Sequence, residues 1–242
     1  MQCKTRAIVL KTINYSETSI IVKMHTELFG LKSFLVRGVR KKHAKINPSI
    51  LQPLSLLEVV FSNKENCQLH SPKEISSYYQ FVSLPFNVFK SSQALFVNEL
   101  VYRTVREEEP NPYFFNFLTQ SIIALDKAKS NFQNIHIAFS IKLTRYLGFY
   151  PLGKYCPETP YFILKEGHFA KYKPDDELYL DQPMSQTFDF LLRIPIEESG
   201  SVSLSSDTRR KLLENIIAYF QLHLIGFGNI KSLDVLTQLF HS

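Results

Sequence analysis

The chain has 242 residues, 45% of them hydrophobic and 21% charged, with a formal net charge of +6. That supplies a real core and an ordinary surface for one large domain or two or three small ones. No run approaches the ~18 continuous apolar residues of a membrane span. Cys3, Cys67 and Cys156 are too few, and odd in number, for a disulfide framework. The opening MQCKTRAIVLK has no signal-peptide pattern, so a cytoplasmic protein is expected.

Residues 1 to about 78 read as β-structure. Thr5–Ile13 and Ser19–His25 are rich in Val, Ile and Thr, with Asn14–Glu17 as the turn between them. Leu31–Val39 follows the break at Gly30, and Leu54–Ser62 is a further apolar run between Pro53 and Asn63–Asn66. Cys67–His70 and Glu74–Ser77 could close the set. Short strands at about ten-residue spacing predict a small barrel, and roughly 75 residues suits a five-stranded OB-fold.

The period then changes to helical. Phe89–Arg106 reads as a helix ending at Glu107–Pro110, and Asn111–Pro112 starts another carrying Phe114, Leu118, Ile122 and Leu125. Ile135, Phe139, Leu143 and Tyr146 form the next stripe, which Gly148 and Pro151 can end. Pro151–Pro183 is rich in Pro, Tyr and Phe, without helical period, and reads as an irregular or hairpin insert. Asp207 can cap a helix carrying Leu213, Ile216, Phe220 and Leu224, and Ser232 a last one through Phe240. The expected division is therefore α+β: an OB-fold over 1–78, a helical domain over 79–150 and 184–242, and the insert over 151–183.

Charge is unevenly placed along this plan. The first 45 residues hold ten Lys or Arg against two Glu, a balance of +8, so the rest of the chain sums to about −2. Gly30–Lys45, GLKSFLVRGVRKKHAK, holds six cations and no acid. Lys32, Arg37, Arg40, Lys41, Lys42 and Lys45 lie on or just after one predicted strand, with Lys4, Arg6, Lys11 and Lys23 on its expected neighbours. On a small barrel such charges can track a phosphate backbone, with steep salt dependence.

Catalytic patterns are missing. The chain has no GxxxxGK[ST], GxGxxG or GxSxG element, and only eight Gly. Glu107–Glu109 and Asp175–Glu177 sit beside Pro in turn-like sequence and read as solvated loop charge. The β region has few acids (Glu17, Glu27, Glu58, Glu65, Glu74), which disfavours a two-metal nuclease there. Cys156 and His168 flank a hairpin-like segment without a CxxC pair, so zinc is not expected. His25, His43 and His223 read as structural or solvated.

The opening KTRAIVLKTINYSETSIIVKMHTELFGLKSFLVRGVRKK resembles the N-terminal domain of the bacterial recombination mediator family RecO. The resemblance rests on the IVL strand, the Tyr15–Glu17 turn, the Thr26–Gly30 element and the Arg37–Arg40 segment. YLGFYP at Tyr146–Pro151 and YFQLHLIGFGNIKSLDVL, with Lys231 and Ser232, are similar to that family's later elements in the right order. The resemblance implies an OB-fold followed by helices and no bond-making catalysis. It implies binding of single- and double-stranded DNA and annealing of complementary strands. The partners it implies are RecR and the C-terminal tail of single-stranded DNA-binding protein, through which the RecA recombinase is loaded.

Many members carry a four-Cys zinc motif in the central insert, whereas this insert keeps only Cys156. Packing of Tyr161, Phe162, Phe169 and Tyr172 is expected to replace the metal. An acidic tail ending in an apolar residue and a carboxylate needs an apolar pocket rimmed by cations. Lys142 and Arg145, or Arg209 and Arg210, are the candidates. An RNA-binding OB-fold protein and a non-catalytic interaction scaffold are the alternatives.

Overall fold

The computed structural model describes residues 2–39, 46–63, 67–105, 109–175 and 178–241. They fall into two compact units, Met1–Val82 with Val101–Ile123, and Ser83–Leu100 with Ala124–Ser242.

The first unit holds β1 (Gln2–Asn14), β2 (Ile20–Thr26), β3 (Gly30–Val36), β4 (Leu56–Ser62) and β5 (Pro72–Ser77). They form one antiparallel sheet in the order β3-β2-β1-β4-β5. Its two edges meet. The amide of Leu35 donates to the carbonyl of His70 at 2.8 Å, and that of His70 to Ser33 at 2.9 Å, in a parallel bridge between Phe34 and His70. The closed sheet is the OB-fold barrel predicted above.

Alternation sets the two faces. Ala7, Val9, Val22, Met24, Phe34, Val36, Leu57, Val59 and Phe61 fill the barrel. Thr26 Oγ1 accepts from the amide of Phe29 and donates to the carbonyl of Gly30, whose φ of 62° shapes the β2–β3 turn. Several boundaries differ from expectation, and β1 already starts at Gln2 rather than Thr5. The ladder of β3 stops at Val36 rather than Val39, and β4 starts at Leu56 rather than Leu54. Of Cys67–His70 only His70 pairs, because its task is closure rather than a further strand.

α1 (Val88–Thr104) and α2 (Pro112–Lys127) contribute to both units. Asn111 starts α2 as predicted, its Oδ1 accepting from the amide of Phe114 at 3.0 Å. In the first unit, Phe114 and Phe115 cover the outer side of the sheet, their rings 5.2 and 6.1 Å from His25.

In the second unit α3 (Ile135–Leu143) is buried at nearly every position, so its apolar residues cover the whole circumference and not one stripe. Around its residues the core collects Phe96 and Leu100, Leu191 and Leu192, and Leu212, Ile216 and Phe220. Gly148, at φ 84°, follows a short 3-10 turn over Thr144–Tyr146. The insert forms a three-stranded sheet of β6 (Tyr161–Ile163), β7 (His168–Ala170) and β8 (Tyr179–Leu180).

α4 (Gln182–Arg193) was hidden from the sequence reading by the Pro-rich stretch before it; Asp181 caps it. α5 (Ser206–His223) is capped by Ser205, not Asp207, which occupies its first turn. α6 (Ser232–His241) begins where the Glu99 carboxylate accepts from the amides of Lys231 and Ser232 and from the Ser232 hydroxyl, at 2.7–3.0 Å.

Near the start of this unit Lys90 is only 2% exposed. Its Nζ donates to Ser83 Oγ and to the carbonyls of Asp126 and Ala128, while the Asp126 carboxylate accepts from the amides of Ser83 and Leu84. Burial lowers the Lys90 pKa, and Asp126 opposes that.

Burial also pushes the His25 imidazole down to about 4. Its depressed pKa means the unfolded chain takes up a proton first. Stability from this group is therefore complete above pH ~6.5 and is lost as pH falls toward 4, by about 3 kcal/mol in full. His25→Phe is expected to flatten the pH dependence of urea unfolding across that window. An undiminished slope would show that other groups carry it.

Candidate nucleic-acid interface

Arg37 is the first residue beyond the β3 ladder and is exposed, while Val39 turns back into the barrel core. Gly38 between them has φ 71°, which lets the chain reverse there. Arg37 Nη1 donates to Ser71 Oγ at 3.1 Å. It stands on the wall of a cleft of about 460 Å³ lined also by Val36, Ile46, Ser71, Lys73, Glu74 and Ile75. Lys73 Nζ donates to Gln2 Oε1 at 2.8 Å. Arg40, Lys41, Lys42, His43 and Lys45 lie outside the described residues.

Lys32 has a different setting. It pairs with Met24 on the row that faces the barrel interior, and is half-buried. The pKa of nearby His70 is lowered, chiefly by burial, with a smaller push from the Lys32 charge. The remaining cations of the sheet divide. Lys4 pairs with Glu58 at 2.8 Å. Arg6 Nε donates to Glu27 Oε2 at 2.8 Å, and its Nη2 closes a bidentate pair with Oε1. The Arg6 guanidinium holds the Glu27 carboxyl below its usual range. Lys11 and Lys23 stand over the ring of Tyr102.

Sequence reasoning missed Ser71, Lys73 and Tyr102. Ser71 meets Arg37 across 34 positions only because the barrel closes at His70. No local pattern carries that signal.

The second unit holds the other candidate cations. A small pocket is lined by His136 of α3, by Ser206, Arg209, Arg210 and Leu213 of α5, and by Leu236 and Thr237 of α6. Arg209 Nε donates to Asn134 Oδ1 and its Nη2 to the carbonyl of Leu204, each at 3.0 Å. Arg210 lies between Asp207 at 2.7 Å and Glu214 at 2.9 Å. His136 is pushed down to about 3 by burial and then by Arg209, so its ring is neutral. Lys142 turns to the carbonyl of Leu192 at 2.8 Å and is half-buried, and Arg145 stacks 5.0 Å over Tyr150.

The described residues of the insert bring no zinc-ligand set together. Cys156 Sγ lies 3.0 Å from Thr159 Oγ1, and His168 Nδ1 pairs with Glu166 at 3.2 Å. Among the described residues no three His, Cys, Asp or Glu side chains gather to hold a metal, and a structural zinc needs four ligands. The insert sheet packs through aromatic rings. Phe162 lies 5.0 Å from Phe169, 4.6 Å from Phe188 and 5.5 Å from Tyr219. Tyr161 meets Tyr179 edge-on at 5.9 Å. Tyr172, expected in this cluster, is instead 74% exposed beneath Lys171, because it lies beyond the end of β7.

The chain matches two family models, recombination protein O N terminal over residues 1–81 and recombination protein O C terminal over residues 85–234. It is 37% identical over 238 residues to the DNA repair protein RecO of Bacteroides fragilis, covering 98% of both chains. It is 33% identical over 240 residues to that of Azobacteroides pseudotrichonymphae, and 35% over 243 residues to that of Flavobacterium psychrophilum, covering 99% of this chain and all of each relative.

Phe162→Ala is expected to cost about 3–5 kcal/mol in urea unfolding, and Tyr172→Ala under ~0.5 kcal/mol. Added chelator should leave the unfolding curve in place; a shift would mean that a metal holds the insert.

Proposed function

The chain belongs to the RecO family of recombination proteins, and we propose that it is a non-catalytic mediator of DNA repair. In this reading it binds single- and double-stranded DNA and anneals complementary strands. Together with RecR it helps load RecA onto DNA coated by single-stranded DNA-binding protein.

The observation that carries the reading is the cationic exit of β3 from an OB barrel of the matched family. Arg37, at the rim of the cleft, leads into Arg40, Lys41, Lys42 and Lys45 without an intervening acid. Contacts of this kind neutralise phosphates irrespective of base. Lys32 belongs to the same run but faces inward, which makes it the weaker contributor.

Replacing Arg37, Arg40, Lys41 and Lys42 with Ala should weaken binding to unrelated oligonucleotides about equally. The dependence of log K on log salt should become shallower by roughly 0.7 per lost contact on single strands. Strand annealing should slow in parallel. Retained affinity and slope would defeat the assignment, and a preference for RNA of matched sequence would favour the alternative reading.

The acidic tail of single-stranded DNA-binding protein is assigned to the α5–α6 pocket. Its apolar end would meet Leu213 and Leu236, and its carboxylates Arg209 and Arg210. The pairs of Arg210 with Asp207 and Glu214 are exposed helix pairs, which solvent screens and a partner carboxylate can displace. Lys142 and Arg145 are less suited, being turned to Leu192 and Tyr150. Arg210→Glu is expected to weaken binding of the tail peptide at least tenfold in calorimetry. Lys142→Gln should change it less than threefold, and the reverse order would move the site.

A further inference from the structure

β1 carries an irregularity that aims one side chain. Its register against β2 runs Val9↔Met24 and then Lys11↔Lys23, so two steps on β1 oppose one on β2. Ala7 and Val9 face the barrel core. Strict alternation would point residue 11 inward as well. The bulge at Leu10 turns Lys11 outward instead, directly opposite Lys23.

The bulge is held from outside the strand. The amide of Leu54 donates to the carbonyl of Val9 at 2.7 Å, and the amide of Val9 to the carbonyl of Ser55 at 3.1 Å. Leu54 itself has φ 64°, a left-handed conformation that costs a residue with a Cβ free energy. Strained backbone thus maintains a pairing of like charges, which is unfavourable across a ladder.

Among the described residues only an aromatic ring offsets that pairing. The two ammonium groups stand 4.7 and 5.8 Å from the centroid of the same ring, Tyr102. Among the described residues neither has a carboxylate partner, although Lys4 and Arg6 on the same strand each have one. Lys23 in turn pairs with Ser33 on β3. Three strands therefore present a row of two ammonium groups and a hydroxyl.

From this geometry we infer that Lys11, Lys23 and Ser33 form a second anion site, on the outer face of the barrel, which takes phosphate oxygens of a nucleic-acid backbone. Two point charges and a hydroxyl suit phosphate and do not read base edges. A phosphate between the lysines converts their repulsion into two attractions. The Tyr102 ring faces the ammonium groups and holds them together. The site rests on the DNA-binding reading but not on the Arg37 segment.

The test uses the full chain and a fluorescein-labelled oligothymidylate in salt titrations. Lys11→Gln/Lys23→Gln should make the log–log salt slope shallower by about 1.4 and lower affinity roughly tenfold near 0.1 M salt. Its Tm should stay within about 2 °C of the parent. Unchanged slope and affinity, with binding still lost on Ala replacement of Arg37, Arg40, Lys41 and Lys42, would overturn the site and leave the proposed function standing. A parent chain that binds no DNA would overturn both. A large drop in Tm would show that the lysines serve the fold, and would also overturn the site. Inorganic phosphate at constant ionic strength should displace the oligonucleotide only weakly; displacement at equal phosphate concentration would assign the site to free phosphate and refute the nucleic-acid contact.

Discussion

Closure of the barrel at His70 is the constraint on which the first unit depends. A five-stranded sheet left open would present unpaired β3 and β5 edges, each a template for adventitious pairing. Two backbone hydrogen bonds, Leu35 to His70 and His70 to Ser33, join the edges in this chain. They also determine where the chain leaves. Because pairing ends at Val36, Arg37 emerges at the seam, beside Ser71 and Lys73 from the other edge. The exit of the basic segment is thus a product of the same bonds that complete the fold.

Charge on the barrel is sorted by local partners. Lys4 and Arg6 are balanced by Glu58 and Glu27, and Arg6 also lies against the rings of Phe115 and Tyr78 at 5.5 and 6.0 Å. These two cations therefore serve the fold. Among the described residues Lys11, Lys23 and Arg37 have no such acid paired with them. A count of +8 over the first 45 residues overstates the charge available to a ligand, because part of it is spent internally.

Much of this was legible in the chain. The Val-, Ile- and Thr-rich runs Thr5–Ile13 and Ser19–His25 and the apolar run Leu54–Ser62 located three strands, since β-branched and apolar residues suit a buried sheet. Asn111–Pro112 located the start of α2 because its cap is local. What escaped the reading was non-local or degenerate. Ser205 and Asp207 are both good cap residue types, and it is the Ser205 hydroxyl that accepts from the amide of Thr208. The apolar positions of α4, Phe188, Leu191 and Leu192, follow a Pro-rich stretch that masked their period. Tyr172 shares its residue type with the packed aromatics but not their place on a strand. The bulge at Leu10 depends on Leu54, more than forty positions away, so no window could reveal which way Lys11 points.

The coverage of His25 has a consequence for synthesis on the ribosome. Phe114 and Phe115 shield its ring, so the barrel strands alone are not a finished unit. The outer face of the sheet stays wet until the chain has been made through residue 123. By then the opening segment of the second unit, Ser83–Leu100, has already been translated and must wait, its Lys90 without the carbonyls of Asp126 and Ala128. The two units cannot form strictly in turn. They mature as interleaved steps, and a nascent chain halted near residue 100 would carry two unfinished surfaces at once.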